Sequence, residues 1–147
     1  MTTSKLILAM LMLTATAPFA LGQESSKKPM EMAPVKLPAQ CGQAVDQKMP
    51  MMDMPGMDMS GMDDAHKAFM AGMMKMHPAM MQGIMAKDPD VAFACGMIAH
   101  HQGAIDMANV ELKYGDNDEA KQIAQKIIDA QTKEIADFTK WLEANAK

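Results

Sequence analysis

No arginine occurs in this chain of 147 residues; its 14 basic side chains are all lysine. A reader of phosphate or nucleic acid needs guanidinium forks on a basic patch, and here 18 acidic residues bring the formal charge to -4. Aromatic residues make up 4%, too few to offer stacking platforms for bases or sugars. These shortages exclude nucleic acid as a partner class. Glu-x-x-His, His-Glu-x-x-His, the phosphate-binding glycine loop and Gly-x-Ser-x-Gly are also absent. The di-iron carboxylate bundle, the zincin and the common hydrolase and nucleotide sites therefore gain no support. No nucleophile stands beside a base, and the chain reads as a non-enzyme.

Only one long apolar run is present, from Leu6 to Ala17 after Lys5. It is too short to span a bilayer and has the form of a signal peptide. Ala20-Leu21-Gly22 supplies small residues for cleavage after Gly22. The expected organisation is a signal peptide over 1–22, a Met/Pro-rich arm over 23–60 and a helical domain over 61–147. The mature protein is expected to be periplasmic or secreted, with no membrane association after cleavage. The two cysteines, Cys41 and Cys95, are expected to form a disulfide in that oxidising setting; the alternative is that one or both stay reduced and bind metal.

Residues 23–60 hold Pro29, Pro34, Pro38, Pro50 and Pro55 and show no helical or strand period, which predicts a flexible arm. The rest carries three helical patterns. The first runs from about Met62 to Met85, with Ser60 and Asp63 as a capping box and Phe69, Met70, Met73, His77, Met80, Met81 and Ile84 as its apolar stripe. Pro78 is expected to kink or split it. The second starts at Asp88 and Pro89, an N-cap followed by a first-turn proline, and stops at Gly115. Its stripe of Val91, Ala94, Cys95, Ile98, Ile105, Ala108 and Leu112 is widened by Phe93, Met97, Ala104 and Met107, so it is expected to be central. The third starts near Asn117 or Asp118 and shows Ala120, Ala124, Ile127, Gln131, Ile135, Phe138 and Leu142. Short connections make the three antiparallel neighbours in an all-α bundle.

What the chain does have is methionine: 21 residues, fourteen of them between Met49 and Met85. Methionine often fills irregular core gaps, which is a fair account of Met97 and Met107. It does not account for Met49, Met51, Met52, Met54, Met57, Met59 and Met62, which stand among Pro, Gly and Asp where no core can form. A thioether is a soft ligand that selects Cu(I) and, by the same softness, Ag(I). It needs no deprotonation and cannot be lost to a disulfide. On the first helix His77 has Met73 and Met74 one turn before it and Met80 and Met81 one turn after, positions that share a helix face. His66 repeats this with Met62 and Met70 at four residues on either side. His100 and His101 follow Met97 by three and four residues. Successive helical residues diverge by about 100°, so one of the pair is expected to bind metal and the other to hydrogen-bond Gln131 or Glu134.

The run Met97-Ile98-Ala99-His100-His101-Gln102-Gly103-Ala104-Ile105-Asp106-Met107-Ala108, preceded by Phe93 and followed by Ala130-Gln131, Glu134-Ile135 and Trp141-Leu142, resembles the domain of unknown function 305 family. Met76-His77 with Met80-Met81 is similar to that family's first helix. The resemblance covers roughly residues 64 to 143. It implies a ferritin-like helical bundle, exported and without established enzymatic activity, whose CopM-like relatives are periplasmic copper-binding proteins tied to copper resistance. Here Ala99 stands where the family often has Pro, Phe138 where Met is common, and Pro78 after His77 is unusual.

The expectation is a protein that buffers or delivers Cu(I), and by extension Ag(I), in copper tolerance. Its metal ligands are drawn from His77, Met73, Met74, Met80, Met81, Met97, His100, His101, Met107, His66, Met70, Met51, Met54, Met57 and Met59. Its partners are copper ions and a copper-efflux or copper-delivery protein; the sequence leaves oligomerisation open. The competing reading is a protein-interaction module that grips clients with its Met surface and takes no metal. A third is a reservoir of sulfur oxidised in place of other targets.

Overall fold

The computed structural model describes Met30, Met32, residues 34–42 and residues 59–146. Three helices account for most of them: α1 (Asp64–Ile84), α2 (Pro89–Tyr114) and α3 (Asp118–Asn145). No strand occurs among the described residues, and the class is an all-α helical bundle. A ferritin-like bundle has four long helices, and the described residues supply three.

Each helix begins where a short polar side chain satisfies its first free N–H groups. Asp63 accepts from the His66 backbone N–H at 2.8 Å. Asp88 accepts from Asp90 at 2.9 Å and Val91 at 3.0 Å, with Pro89 in the first turn. Asn117 accepts from Ala120 at 2.9 Å. The first helix thus starts later than its capping-box pattern predicts, because Asp63 is itself the cap. Pro78 lies inside α1, and the helix is continuous through it. Gly115 ends α2 as expected but with φ -63, outside the left-handed region. Its lack of a side chain serves close approach instead: a Cβ there would run into the Glu111 carboxylate.

Helix α2 is central, with α1 and α3 packed along it. Facing residues run in opposite senses: Gly83 meets Cys95 and Gly96, and Gly72 meets Asp106, while Phe93 meets Phe138 and His101 meets Glu134. Both neighbours are therefore antiparallel to α2. The contact faces differ from the apolar stripes read off the sequence. Helix α1 buries Ala68, Gly72, Ala79 and Gly83, whereas Met73 (50% exposed) and Ile84 (45%) from its predicted stripe stand outside. Phe93 and Met107, expected to widen the α2 stripe, are exposed as well. Small residues make the contacts where the two backbones come closest, at Gly83 against Cys95 and Gly96, while further along the crossing the half-buried Met76 side chain packs over Gly103.

Two apolar clusters result. One gathers Cys41, Ala94, Cys95, Ile98 and Leu142, with Leu37 and Phe138 against it. The other gathers Met32, Ala68 and Val110, with Met30, Phe69 and Tyr114. Both contain residues from the stretch assigned to a flexible arm. Its described part, Met30, Met32 and 34–42, lies on the bundle as a strap. Cys41 is disulfide-bonded to Cys95 with Cα atoms 5.6 Å apart, and the Gln82 side chain donates to the Gly42 carbonyl at 2.9 Å. Lys75 donates to the Met32 carbonyl. These cross-links come from single distant residues, which no local period announces. No described helix is long and apolar enough to cross a membrane.

Candidate metal centre

The crossing of α1 and α2 shapes the site. A Cβ on Gly83 would lie 2.7 Å from the Cys95 carbonyl carbon and 2.8 Å from the Gly96 nitrogen, and one on Gly96 would lie 2.9 Å from an Ile84 methyl. With the backbones this close, the larger side chains on either flank become walls. Met80 and Ile84 from α1 and Phe93, Met97 and His100 from α2 line a groove of about 180 Å³. Met80 and Met97 are half-buried and His100 is exposed. Two methionines and one histidine, from two helices, thus border one small, apolar-walled space.

The adjacent histidines have different surroundings. His101 is buried, 4% exposed, and its Nε2 faces the Glu134 carboxylate on α3 at 2.6 Å. Its ring also meets Phe138 edge-on, with centroids 5.8 Å apart, and its Nδ1 has no hydrogen-bond partner. His101 therefore ties α2 to α3, and His100 is the one that faces the groove with Met80 and Met97.

The other expected ligands are dispersed. His66 Nδ1 lies 2.8 Å from the Asp63 carboxylate on the solvent side. There the His66 backbone N–H, above all, holds the Asp63 carboxyl below the usual carboxylate range. His77, Met73 and Met74 are exposed along α1 and Met81 is half-buried. Met70 is half-buried, and Met107 is 48% exposed. Met59 is half-buried just before α1, and Met51, Met54 and Met57 lie outside the described residues.

Three residues absent from the expected ligand set belong beside it. Met30 and Met32 from the strap and Asp106 from α2 line a second, larger cavity of about 550 Å³. Met30-x-Met32 repeats the spacing of the Met49–Met62 stretch, a signal that could have flagged the pair. Asp106 reads as one polar position among many in α2, and only its burial distinguishes it.

Among the described residues, no three or more His, Cys, Asp or Glu side chains gather to hold a metal ion. The groove at the α1–α2 crossing is instead lined by two methionines and one histidine, Met80, Met97 and His100. That set suits a soft monovalent ion. One family model matches residues 23–142; its description is a domain of unknown function, DUF305. No curated protein matches the chain.

Proposed function

The chain belongs to the DUF305 family, whose domain has no assigned function, and from that premise we propose that it binds Cu(I), and by the same softness Ag(I), as an exported buffer or carrier in copper tolerance. The observation that carries this reading is the groove where Met80 and Met97 meet His100 across the α1–α2 crossing. Neutral sulfur donors hold Cu(I) without first losing a proton, and no carboxylate or thiolate lines this groove to favour a harder ion. The Met-rich stretch from Met49 to Met62 adds donors of the same kind. A disulfide between Cys41 and Cys95 fits an oxidising compartment, and the N-terminal apolar run fits export. The protein carries its ion and catalyses no reaction; the ion passes to or from a copper-efflux or copper-delivery protein.

A second reading has its own observation. Met73, Met74 and Met85 are 50%, 48% and 63% exposed on and just beyond α1, and such a surface can grip varied protein clients. An anaerobic Cu(I) titration against a competing chelator separates the two. The proteins compared are the wild type and the variant Met80→Leu/Met97→Leu, in which bulk and apolarity are conserved and only sulfur is removed. The expected result is tight binding by the wild type and weaker binding by the variant at unchanged helicity. Equal affinities at equal helicity would make these methionines packing residues and remove the groove as a site. Absence of Cu(I) binding to both would leave the client-gripping surface, or the sulfur reservoir, as the better account.

A further inference from the structure

The second cavity has features the groove lacks. Asp106, 7% exposed, sits on its wall. One carboxylate oxygen accepts from the Gln102 amide at 3.2 Å, and the other, Oδ2, has no hydrogen-bond partner. Burial pushes the Asp106 carboxyl above the usual range, against the Gln102 hydrogen bond and the nearby Lys75 charge. A carboxylate so placed is poorly compensated, and burying a charge is costly unless it is paired. Two ammonium groups are near: Lys75 donates to the Met32 carbonyl, and Lys113, which also lines the cavity, lies over the Tyr114 ring, 4.9 Å from its centroid.

Two thioethers share this cavity. Met30 and Met32 both line it. The place where a Gly72 Cβ would stand is 3.2 Å from the Met32 sulfur and 3.6 Å from the Asp106 Cβ, so both side chains border the same gap in α1. Gly72 leaves room for both. The strap is pinned by Lys75 at Met32 and by the disulfide at Cys41, so the Met32 sulfur is presented by chain fixed at two points, and Met30 stands two residues before the first of them.

We propose that this cavity is a second soft-cation site, in which the thioethers of Met30 and Met32 and the Oδ2 of Asp106 hold one monovalent ion of the Cu(I) or Ag(I) class. Sulfur selects the soft ion. The lone carboxylate selects its charge, since one negative and one positive charge leave a neutral complex beside the buried Asp106, whereas a divalent ion leaves an excess charge there. The site differs from the groove in using an anionic donor and no imidazole. It rests on the soft-metal reading of the protein, but none of its ligands is shared with the groove.

The test is a titration of the disulfide-bonded protein with Ag(I) as a redox-inert probe, followed by NMR of ¹³C-labelled methionine ε-methyl groups assigned with single Met→Leu variants. In the wild type, the Met30 and Met32 signals are expected to shift at about one equivalent in addition to the shifts of Met80 and Met97. In Asp106→Asn the Met30 and Met32 shifts should need about tenfold more Ag(I) or more, with Met80 and Met97 unchanged. That variant removes a buried charge, so its fold is expected to hold, and its helicity checks this. Shifts of Met80 and Met97 alone would overturn the cavity site and leave the groove standing. Shifts of Met30 and Met32 alone would overturn the groove and leave the cavity. Equal Met30 and Met32 titrations in wild type and Asp106→Asn would overturn the carboxylate ligand and with it the proposed site. No shift anywhere would overturn both.

Discussion

Reducing the bond between Cys41 and Cys95 should cost much of the protein's stability. The two residues are 54 apart in sequence. Loop closure of that length removes unfolded-state entropy that the chain-entropy model converts to about 4 kcal/mol at 25 °C. Domains of this size are stable by about 5–15 kcal/mol in all, so the loss is a large share of the total. For a urea slope of about 2 kcal/mol/M, the unfolding midpoint should fall by about 2 M. Paired urea titrations of the oxidised and phosphine-reduced protein, followed by helical circular dichroism, measure it. Replacement of both cysteines by alanine should cost at least as much, because Cys41 and Cys95 are 2% and 0% exposed within the larger core cluster. Hydrogen exchange adds a local readout: the turn amides of Cys41 and Gly42, which bond to Pro38 and Ala39, should lose protection on reduction while α2 keeps its own. A midpoint shift corresponding to less than about 1 kcal/mol would refute the reasoning. The unfolded chain would then already be constrained, or the strap would be held by its other contacts.

Three further outcomes follow from particular contacts. Gly83→Ala gains about 0.5–1 kcal/mol of helix propensity but drives a Cβ to 2.7 Å from the Cys95 backbone; overpacking of about 1–3 kcal/mol should win, and a raised thermal midpoint would contradict the close crossing. Glu134→Ala strips the buried His101 of its partner at 2.6 Å and should cost about 1 kcal/mol, at the low end for an unsatisfied buried group because Glu134 itself is half exposed; a change below ~0.3 kcal/mol in chemical denaturation would show that the pair holds nothing. In the metal-free protein, burial raises the Asp106 carboxyl in the folded state, so its contribution to stability falls as pH rises from the ordinary carboxylate value through the raised one. Asp106→Asn should match the wild type most closely in acid and gain on it as pH rises through that window; denaturation at several pH values with a constant difference would refute this.

Much of the fold was legible because helix ends are local chemistry. Asp88 with Pro89, and Asn117, each advertise a start within three or four residues, and Gly115 advertises a stop. The start of α1 was harder, since Ser60 and Asp63 both resemble caps and only hydrogen-bond geometry chooses between them. The packing face of α1 was misread for a physical reason: an apolar period weights methionine heavily and glycine hardly at all, yet Ala68, Gly72, Ala79 and Gly83 make the contact. That the two histidines would face different ways, with one of them paired to Glu134 across the bundle, was foreseeable from helical rotation. Which of the two would turn to α3 was not, because that depends on how far α2 is rotated about its axis. The Met30-x-Met32 spacing was open to view, but its meeting with Asp106 was not, because a strap cross-linked through Cys41 brings together positions more than seventy residues apart.

The glycine and alanine seam of α1 separates two demands that usually compete on one helix. Its fold is specified by four small residues, and most of its methionines lie off that line. The exposed Met73 and Met74 can therefore be lost or replaced without a toll on core packing, whereas Met76, packed over Gly103, cannot, so only part of the sulfur inventory of this helix is free to vary while the architecture stays fixed. The converse also holds: a single added methyl at Gly83 meets the Cys95–Gly96 backbone at the crossing although it changes no sulfur at all.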